Sequence, residues 1–283
     1  MDRLATFNEH RPLLFSMAYR MLGTRADAED VLQEGYLRWQ NAPVEEVRSP
    51  KSYLTAVVSR LALDSLKEAR RKRETYMGTW LSEPVFDPRL SDPVELAGSL
   101  SIAFLHVLET LSPAERVAFL LREIFGEEYT TVASILETTE ANVRQLVTRA
   151  RQHLADRRPR FGVDRARHEA VLRRFVQSCA TGDTTALTEM LKEDVVAYSD
   201  GGGKAKAAIN PIYGLDKVTR FLLGVSSKFI TGAQAEITEV NGEPALVLRL
   251  PDSLLGVLTL DLDSDARIRG IYYVANPDKL RAN

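Results

Sequence analysis

Cys179 is the only cysteine in 283 residues, which removes whole classes of chemistry at once. One thiol can build neither an intramolecular disulfide nor a multi-cysteine zinc site. Leu172, Phe175 and Val176 lie at helical spacing from it, so a buried apolar role is expected instead of a redox one. Surplus charge is lacking too: 37 Lys and Arg against 39 Asp and Glu leave a net charge of −2. A field spread over the whole molecule therefore cannot draw in a polyanion, and affinity for one must come from local patches. Residues 67–73 and 144–160 are such patches, each able to neutralise a few phosphates in a salt-sensitive way. No apolar run is long enough to span a bilayer and no stretch resembles a signal peptide, so the expected address is the cytoplasm, with no membrane partner. The length leaves room for two or three compact units with proper cores.

What the chain does have is a stretch, residues 111–154, with the pattern of a DNA-reading helix-turn-helix. Ser112 can cap a first helix, with Pro113 at its first position and Glu115 reaching back as in a capping box. Val117, Leu121, Ile124 and Phe125 share a face, and Gly126 marks a stop. Tyr129, Val132, Ala133 and Leu136 repeat the spacing in a second helix. In the third, Val143, Leu146, Val147, Ala150 and Leu154 point inward, leaving Asn142, Arg144, Gln145, Thr148, Arg149 and Gln152 together outside. Arg, Asn and Gln can make bidentate bonds to base edges, and Arg also neutralises phosphate. A merely solvated helix face would carry more Glu to balance its Arg.

Nearer the N-terminus, Thr24 and Asp27 form a capping box after a helix that ends at Gly23. Asp27, Asp30, Gln33 and Glu34 then make a polar, mostly acidic stripe, while Val31, Leu32, Leu37 and Trp39 supply apolar surface. A non-periodic loop, residues 41–48, precedes a helix opened by Ser49 and Pro50. Tyr53, Leu54, Val57, Val58, Leu61 and Leu66 form its core side, and it runs into Lys67, Arg70, Arg71, Lys72 and Arg73. An acidic helix beside a basic one suits two partners of opposite charge.

Taken in order, these segments resemble the extracytoplasmic-function (ECF) group of sigma-70-type factors over residues 1–160. AEDVLQEGYLRW resembles that family's core-polymerase-binding helix, which implies that Asp30, Gln33 and Glu34 contact the β′ clamp of RNA polymerase. SPKSYLTAVVSRLALDSLKEARRKRE resembles its promoter −10 helix. The resemblance implies that Asn41, Arg48 and the start of this helix hold an unstacked −10 base, with Lys51, Arg60, Lys67, Arg70 and Arg71 on the nearby DNA. Residues 111–154 resemble its −35-reading domain, which also docks on the polymerase β flap; Asn142, Arg144, Gln145, Thr148 and Arg149 would enter the major groove. One departure is that the family usually has Gly and then an aliphatic residue in the turn, where this chain has Glu137 and Thr138. A left-handed residue is costly without Gly, so an altered recognition-helix angle is expected.

Energetics explain why such a factor needs polymerase. At roughly 1.4 kcal/mol per stacking step, opening about ten base pairs costs on the order of 10 kcal/mol or more. Capturing one or two flipped bases returns only about 1–3 kcal/mol each. The rest must come from polymerase, and the acidic stripe suits a docking surface for it.

Residues 78–93, with Pro84, Pro88 and Pro93 and no helical period, read as a linker. A free tether would not leave Trp80, Leu81 and Phe86 in water, because burying each large side chain is worth about 1.5–3 kcal/mol. The segment is expected to pack, either on the core of the first unit or as an inter-domain clamp. Beyond residue 165 an amphipathic helix carries Leu172, Phe175, Val176 and Cys179, and a shorter one carries Leu187, Met190 and Leu191. A strand at residues 195–199 leads to Asp200, Gly201, Gly202, Gly203 and Lys204, and a helix near residues 215–223 follows. Asn241 and Gly242 make a hairpin turn between residues 235–240 and 245–250, and residues 263–265 turn 257–262 toward 268–274. Helices followed by an antiparallel meander argue an α+β unit with a curved sheet.

This part resembles the SnoaL-like branch of the nuclear-transport-factor-2-like fold, a cone with an apolar pocket, which sigma factors of the SigJ-like kind carry at their C-terminus. Those factors share three short motifs. The linker motif WLPEP appears here as WLSEP, keeping Trp80, Leu81, Glu83 and Pro84 with Ser82 for the first Pro. DGGGK is intact from Asp200 through Gly201, Gly202 and Gly203 to Lys204. NPDKL is intact as Asn276, Pro277, Asp278, Lys279 and Leu280. The resemblance implies that DGGGK lies where the extra domain meets the sigma part. As a phosphate cradle DGGGK fails, because a P-loop needs longer glycine spacing and Ser or Thr after its Lys, where Ala205 stands. Three glycines suit a tight turn or a close approach, so a contact or hinge is expected. His168, expected at the surface among Arg165, Arg167 and Arg173, joins Tyr198 and Asp200 as acid–base candidates, but no spacing demands a pair.

The expected architecture is multidomain: two all-α sigma domains, the second a helix-turn-helix, plus a C-terminal α+β cone. Residues 1–77 would bind polymerase and the −10 element, 78–93 would link, 94–160 would read the −35 element, and 161–283 would regulate. The function read from this is transcription initiation on core RNA polymerase and promoter DNA, modulated by the C-terminal domain, whose pocket has room for a small-molecule ligand. No catalytic residue, metal or cofactor is expected. A SnoaL-like enzyme tethered to a DNA-binding module is the alternative; it predicts turnover of a small cyclic substrate and leaves the acidic stripe without a role. A polymerase-independent repressor would bind intact duplex tightly by itself, which dispersed basic patches disfavour.

Overall fold

Local capping chemistry sets where the N-terminal helices begin. Asp2 accepts from the Leu4 and Ala5 N–H groups to open α1 (Arg3–Leu22), which stops at Gly23 with φ of 79°. Thr24 accepts from the Asp27 N–H at the head of α2 (Arg25–Asn41), and Ser49 with Pro50 opens α3 (Pro50–Arg73). After α4 (Ile102–Leu108), Ser112 and Glu115 form a reciprocal capping box on α5 (Pro113–Phe119), satisfying two otherwise orphaned N–H groups. A π-helical turn (Leu120–Ile124) leads to Gly126 at φ of 71°, then α6 (Tyr129–Ile135) and α7 (Glu140–Ala155).

The computed structural model describes residues 2–43, 47, 49–86, 100–155, 164–229, 233–251 and 253–280. The chain divides into two compact units, Met1–Thr75 with Val107–Arg158, and Tyr76–His106 with Pro159–Asn283.

In the first unit α3 packs on α1, α2, α5 and α6 around Leu14, Met17, Leu32, Leu54, Val58 and Phe119. Two arginines are buried among these apolar side chains. Arg116 donates through Nε and Nη2 to the Arg20 carbonyl at 3.2 and 2.9 Å, and its remaining nitrogen meets Glu109. Glu109 also takes Arg73, the last residue of α3, which reaches the Leu22 carbonyl as well. Burial drives the Glu109 carboxyl up, but Arg116 and Arg73 outweigh it and hold the group below the usual carboxylate range. The set thereby joins the ends of α1 and α3 to α5 with its charges compensated, which burial requires.

The second unit runs α8 (Arg165–Thr181), α9 (Thr184–Met190), β1 (Leu191–Asp200), β2 (Ile212–Tyr213) and α10 (Leu215–Phe229). Then come β3 (Gln234–Val240), β4 (Glu243–Leu250), β5 (Ser253–Leu262), β6 (Ile268–Val274) and α11 (Pro277–Leu280). The sheet order is β2-β1-β6-β5-β4-β3. Strands β3 to β6 form the expected antiparallel meander, but β1 lies parallel to β6, so the sheet is mixed. Asn241 and Gly242, at φ of 54° and 78°, make the two-residue turn whose positive φ values match strand twist.

Alternation along β4 and β5 splits two cores. Leu246, Leu248, Leu260 and Leu262 meet α8, α9 and α10 through Leu172, Phe175, Leu187 and Val218. The opposite face, Ala245, Val247, Val257, Tyr272 and Val274, is covered by Leu81, Ile102, Ala103 and Leu280. Leu81 and Phe86 of the linker therefore pack on this sheet. Trp80 and Phe86 are half-buried and Leu81 fully so. His168 is buried, contrary to its expected surface position, because it stands one helical turn before Leu172 on the inward side of α8. Burial pushes its imidazole below the ordinary value, against a hydrogen bond to the Leu260 backbone. Cys179 lies against the inner core, and burial pushes its thiol up to about 12, which suits an apolar role.

Candidate functional site

The buried side of α2 is Ala28, Val31, Leu32, Gly35 and Trp39, and a Cβ on Gly35 would stand 3.1 Å from the Val58 side chain. That close contact with α3 turns Asp30, Gln33 and Glu34 outward together, with Leu37 exposed beside them. Glu34 pairs in-helix with Arg38 at 2.9 Å.

The basic residues of α3 are not all equally placed. At about 100° per residue, Arg60, Lys67 and Arg71 fall within ~40° of one another, with Arg70 to one side and Lys51 opposite. Arg60 donates to the Ser134 carbonyl of α6 at 2.9 Å and Arg70 to the Leu111 carbonyl at 3.2 Å, both within the first unit. Lys67 pairs with Asp64 at 3.0 Å, while Lys51 and Arg71 are exposed. Asn41 donates to the Leu37 carbonyl at 2.9 Å. Arg48 lies outside the described residues.

Helix α7 buries Val143, Val147, Ala150 and Leu154, so Asn142, Arg144, Gln145, Thr148 and Arg149 stand exposed. Arg144 lies 4.0 Å over the Tyr129 ring and 3.6 Å from Glu140, while Asn142 donates to Thr138 Oγ1 at 2.9 Å. In the turn before it, Glu137 itself takes the left-handed conformation, at φ of 52°, and the Thr138 N–H closes on the Ala133 carbonyl at 2.9 Å.

The three short motifs converge on one carboxylate in the second unit. Asp200, fully buried at the end of β1, accepts from the Tyr76 hydroxyl and the Gly202 N–H through Oδ1. Its Oδ2 accepts from the Leu81 N–H at 2.9 Å and from Lys279 Nζ at 2.7 Å. Lys279 also donates to the Leu81 carbonyl and lies 4.1 Å over the Trp80 ring. Asn276 donates to the Tyr76 hydroxyl at 2.8 Å, and Lys204 pairs with Asp278 at the rim. Burial, with Asp200 beside it, raises the Tyr76 phenol well above its ordinary value and keeps it a donor. Glu83 and Pro84 are buried nearby in the chain, and Leu280 and Pro277 close the turn of α11. Gly202 and Gly203 have φ of 58° and 69°, and a Cβ on Gly202 would stand 2.3 Å from Asn276. Tyr198, the other acid–base candidate, stacks on Tyr272 at 5.1 Å with the His106 ring 4.6 Å away.

Comparison with known proteins gives this geometry a family. Residues 6–72 match the model for sigma-70 region 2 and residues 101–154 that for sigma-70 region 4. The chain is 38% identical to the ECF RNA polymerase sigma factor SigJ of Mycobacterium tuberculosis (strain ATCC 25618 / H37Rv), over 98% of its length and 92% of the relative's. It is 34% identical to the probable ECF RNA polymerase sigma factor SigI of the same strain, over 98% and 96%. This chain belongs to the ECF sigma factors. The crystal structure of M. tuberculosis SigJ superimposes on 98% of this sigma factor and 97% of that chain, with a TM-score of 0.80 and 36% identity.

As an ECF sigma factor the protein is a transcription initiation factor and not an enzyme. Region 2 takes in most of α1, all of α2 and nearly all of α3, and region 4 contains α4 to α6 and most of α7. The tyrosine that reads as an ordinary residue after the basic run, Tyr76, proves to be a partner of Asp200. Asn241, legible only as a turn residue, contacts the linker. No pattern announced Arg20 and Arg116 as core residues, since arginine is ordinarily a surface side chain.

Proposed function

We propose that this sigma factor docks on the β′ clamp of core polymerase through Asp30, Gln33 and Glu34, and that region 4 contacts the β flap. Asn41, Arg48 and the start of α3 hold a −10 base, with Lys51, Arg60, Lys67, Arg70 and Arg71 on the surrounding DNA. Asn142, Arg144, Gln145, Thr148 and Arg149 read the −35 groove. Residues 1–77 and 94–160 act as the two promoter-reading domains, joined by 78–93, in the cytoplasm where polymerase and DNA meet. The C-terminal domain, residues 161–283, modulates initiation by holding the linker, and a small molecule in its apolar cone would shift that hold by its differential affinity.

The observation that carries the regulatory part is the Asp200 carboxylate, which grips Tyr76 just before the linker, Leu81 within it and Lys279 of the tail together. The chain leaving the −10 helix thus cannot move independently of the C-terminal domain while that carboxylate is satisfied. Run-off transcription with core polymerase tests this, comparing the full chain with Asp200→Ala and with a truncation after Arg160. Altered output from both, in the same direction, supports the reading. Equal output from all three proteins refutes it.

A further inference from the structure

Tyr129 opens α6 on the apolar stripe that Val132 and Ala133 continue, yet it is half-buried where they are buried. Two guanidinium groups meet its ring. Arg122, from the π-helical turn, lies 4.5 Å from the ring centroid and donates to the Glu127 carbonyl at 2.9 Å, across the Gly126 turn. Arg144, from α7, lies 4.0 Å from the same centroid. One ring therefore joins the segment before α6 to the outward face of α7.

A leucine would serve the apolar stripe as well. What an aromatic residue adds is a negative ring face, which attracts a cation without accepting its N–H donors as a carboxylate does. Glu140 stands 3.6 Å from Arg144, longer than a hydrogen bond, and the Arg144 side chain stays 58% exposed. The guanidinium is thus held in place with donors still available for a base edge or a phosphate.

We propose that Tyr129 is a positioning residue for −35 readout: its ring sets where Arg144 stands before DNA arrives. The inference rests on reading Arg144 as a groove contact. An arginine side chain that meets a base loses rotamer freedom, and holding it near its working place beforehand removes part of that cost. The ring acts through Arg144, and Arg122 braces it from the preceding segment. Its effect is therefore confined to the base pair that Arg144 reads.

The test is run-off transcription with core polymerase and the full chain, on a promoter selected by the wild-type holoenzyme and on versions substituted singly at each −35 position. The readout is discrimination, native output divided by substituted output, a ratio that does not depend on how much of a variant is folded. Tyr129→Leu keeps an apolar side chain and removes the ring face. It is expected to lower discrimination about two- to fivefold, at the same position as Arg144→Ala. Tyr129→Phe keeps the ring and the wild-type discrimination. Adding Tyr129→Leu to Arg144→Ala costs no further discrimination, because the ring then has nothing to position. A merely structural ring would lower output alike on every promoter and leave the ratios unmoved. Wild-type discrimination in Tyr129→Leu, an equal loss in Tyr129→Phe, or a loss that adds to that of Arg144→Ala overturns the proposal. An Arg144→Ala protein with unchanged discrimination at every −35 position overturns the reading of Arg144 as a groove contact, and the proposal with it.

Discussion

Gly202→Ala should loosen the second unit selectively, and the size of the effect follows from three terms. The residue sits at φ of 58°, and its new Cβ would stand 2.3 Å from Asn276 Nδ2 and 2.5 Å from Cγ. Left-handed backbone costs a side chain about 1–2 kcal/mol. Asn276 cannot step aside freely, because Nδ2 donates to the Tyr76 hydroxyl at 2.8 Å and Oδ1 accepts from the Asp278 N–H at 3.0 Å. Losing both bonds removes about 1 kcal/mol each. Reduced freedom of the unfolded chain returns about 0.4–1 kcal/mol, leaving a net loss of about 2–3.6 kcal/mol. Gly203→Ala is the control: φ is 69°, but its Cβ would meet the Met77 side chain, with Sδ nearest at 3.1 Å, and Met77 is 61% exposed and able to swing away. Its cost should stay near 1 kcal/mol. The two tryptophans report separately, Trp39 from the first unit and Trp80 from the second. Urea unfolding followed by fluorescence in Trp39→Phe and Trp80→Phe backgrounds resolves them. With a slope of 1–3 kcal/mol per molar urea, the Trp80 midpoint of Gly202→Ala should fall about 1 M below that of Gly203→Ala. Equal midpoints for the two variants, or a Trp39 transition that moves as far, would refute the reasoning.

Three further substitutions have definite signs. Glu137→Gly relieves the left-handed strain in the turn before α7 and should raise first-unit stability by about 0.5–1 kcal/mol, read as a higher Trp39 urea midpoint; a lower midpoint would mean the Glu137 side chain contributes more than the strain costs. Glu109→Gln leaves Arg116 and Arg73 without their carboxylate and should cost about 3–5 kcal/mol. Because the folded Glu109 carboxyl lies below its ordinary value, its stabilisation is present above pH 4.5 and fades as pH falls, so the variant should lose that acid sensitivity in urea titrations. Glu243, at the start of β4, is pushed up to about 8 by burial and by Asp261. The folded form then holds a proton that the unfolded form releases, so wild-type second-unit stability declines as pH rises from about 4.5 to 8; Glu243→Gln should flatten that decline in the Trp80 midpoint, and an unchanged slope would exclude Glu243 as its source.

Much of the chain was legible because the forces involved are local. Thr24, Ser49 and Ser112 name their helix starts, because a side-chain oxygen satisfies an N–H three residues away. The period of Val143, Val147, Ala150 and Leu154 decides which face of α7 turns outward. Asn241 and Gly242 select their turn through backbone preference alone. The three short motifs could be singled out as a contact set only by resemblance, and nothing local says that Asp200 would be the atom group on which they meet.

By itself, then, the sequence determined most of the helices, the Asn241–Gly242 hairpin and the apolar faces, since each depends on neighbours within a few residues. No pattern announced α4 or α11, and Leu191, expected on a helix, opens β1. Tertiary structure alone decided that β1 runs parallel to β6, that Leu81 and Phe86 pack on the second face of the sheet, and that His168, Arg20 and Arg116 are buried. It also brought Tyr76 and Lys279 onto the Asp200 carboxylate across 124 and 79 residues of chain. The reason is physical: a buried polar group must find partners wherever the fold supplies them, and the chain separation of those partners leaves no period to read.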